Sequence, residues 1–189
     1  MGADKSAVPF FGDQAGRLVY EALEHLGWID LPAPVAALDW DGARLAARGI
    51  KPAVRQVGLS NAYPSCPTDD GERFRAPRRR ELLDAANLHR VREELGAATA
   101  RGLVIVVALG TVAARFLADD ICLRAWPEVR LVPMPHPSPL GLLAWARALA
   151  RTTGDARGAK GADVPALRAR WIAALVTTLA AARPQAGRG

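Results

Sequence analysis

LVIVVALGTVAARFLADD, Leu103 to Asp120, and the nearby VRLVPMPHPSPLG, Val129 to Gly141, decide the fold class. Leu103 to Gly110 is an apolar run without polar alternation, the pattern of a central parallel strand covered on both faces. Thr111 is placed to cap a short helix over VAARFLADD. Val129 to Pro135 reads as a second strand, and another helix starts near Pro139. Strands alternating with helices at this spacing imply a mostly parallel sheet flanked by helices.

The flanking sequence extends this pattern. In DQAGRLVYEALEHLG, Leu18, Ala22 and Leu26 recur at helical spacing, with Asp13 as N-cap and Gly27 as the stop. Pro and Ala dominate LPAPVAALDWDGARLAARGIKP, so residues 27–54 read as an insertion or long connection with one short helix near Gly42 to Arg48. Arg55 to Leu59 is a strand candidate, followed by a turn-prone loop holding Asn61, Pro64, Cys66 and Pro67. A single helix is predicted from the arginines Arg78, Arg79 and Arg80 to about Leu95. Near the C-terminus, TTGDARGAKGAD (152–163) reads as a mobile linker to a last helix from about Val164, which aligns Leu167, Trp171, Leu175 and Leu179.

These elements, in 189 residues of which 50% are hydrophobic, suit one domain over residues 1–189. The predicted class is α/β, a three-layer sandwich with a mostly parallel central sheet flanked by helices. Lys and Arg number 25 against 19 Asp and Glu, a net charge of +6, so the surface attracts anions, nucleic acid among them. No apolar run reaches the roughly 20 residues that cross a bilayer. Cys66 and Cys122, with no hydrophobic leader after Met1, point to a reducing cytoplasmic setting. Three histidines and two isolated cysteines lack the clustered spacing of a zinc site, and no metal or other cofactor is expected.

The chemistry concentrates in loops. His136 follows a strand, with Ser138 as N-cap and Pro139 at the first helical position, so a polar site opens at a helix N-terminus that favours phosphate. Taken alone, one His in a proline-rich loop is structural more often than catalytic. Arg73, Arg75, Arg78 and Arg79 lead into a helix whose dipole opposes them, so they gain nothing locally and face solvent or an outside anion.

His136-Pro137-Ser138-Pro139-Leu140 resembles the histidine loop of the uracil-DNA glycosylase superfamily. Three further stretches agree in order and approximate spacing. PFFGDQAG is similar to the family's phenylalanine segment through Phe10, Gly12 and Gly16; LSNAYPSCP is similar to its asparagine motif through Asn61; VIVVALGTVAARFL is similar to its penultimate strand. The resemblance implies that Phe10 stacks on a flipped uracil and that Asn61 both donates to and accepts from its edge, as a carboxylate cannot. It implies that His136 donates a hydrogen bond to the departing uracil anion. Ser138 would hold a flanking phosphate, and Leu140 would be the wedge filling the gap left in the duplex. Phe10 and Leu140 also read as ordinary core residues, Asn61 as a turn residue, and Phe11 competes for the stacking role, although the distance to Gly12 favours Phe10.

The chain departs from the family pattern in three ways. Members carry a Gly-rich motif such as GEAPG whose acidic or amide side chain positions the attacking water. MGADKSAVPFFG resembles only the tail of it, and Asp4 does not match the acidic position, so the first strand and that residue are expected upstream of Met1. The four thiolates of the family's iron–sulfur branches are not supplied by Cys66 and Cys122. Residues 27–54 exceed the family's usual connection. The expected function is base-excision repair by a monomer that hydrolyses the N-glycosidic bond of uracil or a related deaminated base in DNA; the competing reading is a catalytically inactive relative that binds DNA. Base preference and single-strand against duplex preference are not legible.

Overall fold

A computed structural model describes residues 8–73, 75–119, 123, 126–153 and 163–182. The chain divides into two compact units, one formed by residues 1–59 with 135–189 and the other by residues 60–134. The predicted linker over 152–163 falls mostly outside the described residues, as do Asp4 and Cys122.

The first unit is built on helix α1 (Gln14–His25). The Asp13 side chain caps it by accepting from the Gly16 N–H, and Gly27 leaves it at φ 67°, a conformation glycine adopts freely. Burial on α1 is wider than the predicted stripe: Leu18, Val19, Tyr20, Ala22 and Leu23 are all buried. The helix packs on the C-terminal helix α7 (Val164–Ala180), which buries Trp171, Leu175 and Leu179 on the expected face. Helix α6 (Pro139–Thr153) also packs on α7, where the Arg170 guanidinium lies 5.5 Å from the centre of the Trp145 ring.

Residues 27–54 are not a loose connection. They form β1 (Ile29–Asp30), a 3-10 turn (Val35–Ala37), α2 (Gly42–Ala47) and β2 (Ala53–Val54), with β1 and β2 antiparallel. Val35, Leu38, Trp40 and Leu45 from this stretch join Phe11 and Tyr20 in one core cluster. Each such side chain removed from water contributes on the order of 2 kcal/mol, enough to fold a Pro-rich segment that lacks periodicity. The strand predicted over Arg55 to Leu59 is two residues long and lies earlier, at Ala53–Val54. Pairing ends there, and Gln56 takes a left-handed φ of 60° that a continuing strand does not permit.

The second unit holds the parallel pair β3 (Ile105–Leu109) and β4 (Arg130–Met134), joined through α5 (Thr111–Ala118), which packs on both strands. Ile105 pairs with Arg130 and Leu109 with Met134. The chain is thus α/β, with a small parallel sheet flanked by helices. Coverage of β3 is partial: Ala108 alone of its residues is buried, and the neighbouring Val104 is exposed. Gly110, at φ 93°, holds the N-cap position predicted for Thr111, which becomes the first helical residue. The helix predicted from Arg78 to Leu95 is broken into α3 (Arg79–Leu82) and α4 (Ala85–Thr99). Asp84 starts the second piece by accepting from the Ala86 N–H, which offers the backbone a cap where helix would otherwise continue.

Candidate functional site

Phe10 and Phe11 are neighbours with opposite environments. Phe11 has no exposed surface and meets Tyr20 and Trp40 edge-on, with ring centres 5.1 Å and 4.9 Å away. Phe10 only lines that cluster and is partly exposed. Its backbone adopts φ 60°, rare for a residue with a Cβ. The surrounding carbonyls are held by side chains and backbone from elsewhere in the unit. Tyr20 Oη donates to Pro9 O (3.0 Å), Trp40 Nε1 to Asp13 O (2.6 Å) and the Gly42 N–H to Gly12 O (3.1 Å). Burial and the nearby Asp13 push the Tyr20 phenol well above its usual pKa, so it stays a donor. Trp40 and Gly42 belong to residues 27–54, so that stretch buttresses the Phe10 loop.

Both loops of this unit use the same device. A Cβ on Gly16, in the first turn of α1, would lie 1.5 Å from the Phe10 carbonyl oxygen; a Cβ on Gly141, in the first turn of α6, would lie 2.1 Å from that of His136. Glycine at each place lets the loop backbone rest directly on the helix that follows it.

The His136 loop is pinned at both ends. Upstream, the Trp171 indole, fully buried, donates from Nε1 to Pro135 O (2.8 Å). Downstream, Ser138 caps α6 as expected, its Oγ accepting from the Gly141 N–H (3.3 Å). The Ser138 N–H in turn donates to His136 Nδ1 (3.2 Å). With Nδ1 occupied as an acceptor, the neutral ring carries its proton on Nε2, free to donate outward. The imidazole lies at the surface, yet desolvation on its protein side lowers its pKa, with Asp13 pulling weakly the other way. Leu140 is 81% exposed, so it is not a core residue.

In the second unit Asn61 is exposed on a loop, and its backbone carbonyl accepts from Arg90 Nη2 (2.8 Å). The arginines expected to gain nothing locally are corrected by the ion pairs they form. Arg75 forks onto Glu81 (2.6 Å and 2.8 Å) and reaches Asp69 (2.9 Å). Arg78 pairs with Asp69 (2.8 Å) and Arg79 with Asp119 (2.9 Å). Glu81 also accepts from the Arg78 N–H (2.6 Å), neutralising the N-terminus of α3, and Arg75 with that N–H holds its carboxyl at about 2. A proximity of Asp69, Glu81 and Asp119 to the arginines carried no periodic signal and was not legible beforehand. The Arg73 guanidinium has no ion-pair partner among the described residues. Among the described residues no group of three or more His, Cys, Asp or Glu is placed to hold a metal ion, and no helix is long and apolar enough to cross a membrane.

No curated protein and no solved structure shows significant similarity to the chain. The family model of the uracil DNA glycosylase superfamily, however, matches residues 2–150, which include the Phe10, Asn61 and His136 loops. The chain belongs to the uracil DNA glycosylase superfamily.

Proposed function

We propose that the protein is a base-excision glycosylase that hydrolyses the N-glycosidic bond of uracil, or a related deaminated base, in DNA. The observation that carries this reading is the His136 loop: a neutral imidazole whose Nδ1 is held by the Ser138 N–H, leaving Nε2–H to donate. In the reaction the bond between the sugar C1′ and the base nitrogen breaks, its electron pair leaves with uracil, and water adds its hydroxyl at C1′ while its proton balances the uracil anion, giving free uracil. Nε2–H is suited to the negative charge that develops on the uracil oxygen, where preorganised donors lower barriers most.

The other residues take supporting roles. Phe10, partly exposed on its buttressed loop, stacks on the extruded base, and Phe11 is excluded from stacking by its place in the core. Asn61 reads the base edge with its carboxamide. Ser138, at the start of α6, holds a flanking phosphate, and exposed Leu140 enters the duplex gap. Arg73 contacts backbone phosphate directly, while Arg75, Arg78 and Arg79 line the same basic surface from within their ion pairs.

The test is release of free uracil from a uracil-containing oligonucleotide. The wild-type protein is expected to release it, and His136→Ala to lower the single-turnover rate by about 10²–10³ with little change in DNA affinity. Salt-sensitive DNA binding with no abasic product would overturn the catalytic reading in favour of a binding protein.

A further inference from the structure

Helix α4 grips the Asn61 loop through one polar stripe. Asn87, Arg90 and Glu94 are spaced by three and four residues and so share a face. Asn87 is the one buried polar residue among those described, and both polar atoms of its carboxamide are hydrogen-bonded. Its Nδ2 donates to Ala62 O (3.0 Å) and Leu82 O (2.9 Å), and its Oδ1 accepts from Arg90 Nη2 (2.9 Å). Arg90 Nη2 also donates to Asn61 O (2.8 Å), and Nη1 donates to Glu94 Oε1 (2.7 Å) and Ser60 Oγ (3.3 Å). The Ser60 hydroxyl closes the network by donating to Glu94. Three successive residues, Ser60 to Ala62, are thus held at a hydroxyl or a carbonyl. The Asn61 carboxamide, which they flank, is exposed and makes no hydrogen bond among the described residues.

A buried amide costs free energy unless its polar atoms are satisfied, but an apolar side chain at position 87 would leave the Ala62 and Leu82 carbonyls without the donor they have here, so part of the network is structural. The reach of the network through Arg90 to Ser60 and Asn61 is not accounted for by pairing those two carbonyls. What it does is fix the backbone on both sides of one outward carboxamide, which is how a supporting layer orients a group that binds a ligand. We infer that Asn87 and Arg90 are positioning residues that hold the Asn61 carboxamide in the direction needed to read the base edge. The inference rests on the role proposed above for Asn61.

Arg90→Lys keeps the charge but cannot reach Asn61, Asn87 and Glu94 at once; Asn87→Leu keeps the packing without the hydrogen bonds. Uracil release by each variant, in the wild-type and the Asn61→Ala backgrounds, measures the coupling. Each is expected to lower kcat about tenfold to a hundredfold with KM for DNA nearly unchanged, and to have less than about a twofold effect once Asn61 is alanine. Equal losses in both backgrounds would show a merely structural role and overturn the inference, as would no loss in either. Amide hydrogen exchange over residues 60–63 gives a readout independent of activity: it is expected to quicken in both variants, and unchanged exchange overturns the inference. If the wild-type protein releases no uracil while exchange still responds, the base-reading role fails and the loop clamp stands.

Discussion

At the scale of single residues, the choice between Phe10 and Phe11 shows what a motif leaves open. The distance to Gly12 favours Phe10, and burial separates the two further, because Phe11 completes an aromatic core with Tyr20 and Trp40. Leu140 is the reverse case, an apolar residue whose 81% exposure frees it from any packing role. Leu140→Ala is expected to change stability by less than about 0.5 kcal/mol while lowering uracil release from duplex more than from single-stranded DNA. Thermal melting and paired release assays check this. His136 gives a pH signature. Its pKa is lowered by desolvation, and protonation would put a proton on Nδ1 against the Ser138 N–H, setting donor against donor. Activity is therefore expected to be level above the ordinary imidazole value of about 6.5 and to fall as pH drops through the lowered pKa. The stability due to the neutral ring follows the same sign, present above the unfolded value and lost on the acid side. A pH–rate profile should show that limb and lose it in His136→Ala.

At the scale of elements, local signals were legible where they act locally. Asp13 and Ser138 cap the helices they precede, and the apolar runs form β3 and β4. The break at Leu83 is not legible in the sequence, because Asp84 is an N-cap inside a stretch whose apolar spacing continues across it. Gly16 is legible as a motif member and Gly141 is not, but the reason for both glycines lies in the loop carbonyls resting on them. Gly141→Ala places a Cβ 2.1 Å from the His136 carbonyl oxygen, so either α6 or the loop must shift. A loss of about 1–3 kcal/mol is expected, read as a lower melting temperature, with uracil release reduced beyond what the remaining folded fraction accounts for.

At the scale of the whole molecule, a net charge of +6 is expected to make the proposed DNA binding salt-dependent, but the arginines are not equivalent. Arg73→Ala is expected to reduce the slope of log affinity against log salt by about one and leave melting unchanged. Arg75→Ala should lower the melting temperature, because it leaves Glu81 and Asp69 without their fork. Titrations of an oligonucleotide at several salt concentrations, beside melting curves, separate the two. The sequence by itself determined the α/β class, the starts of α1, α6 and α7 and the family, since caps, apolar runs and loop motifs are encoded by neighbours in the chain. Only the tertiary structure decided that residues 27–54 support the Phe10 loop, that Trp171 anchors Pro135, that Arg90 holds the Asn61 carbonyl and Asn87 that of Ala62, and which arginines are neutralised. Burial, ion pairing and hydrogen bonding across tens of residues depend on where folding brings distant groups together, and no periodicity in the chain records that.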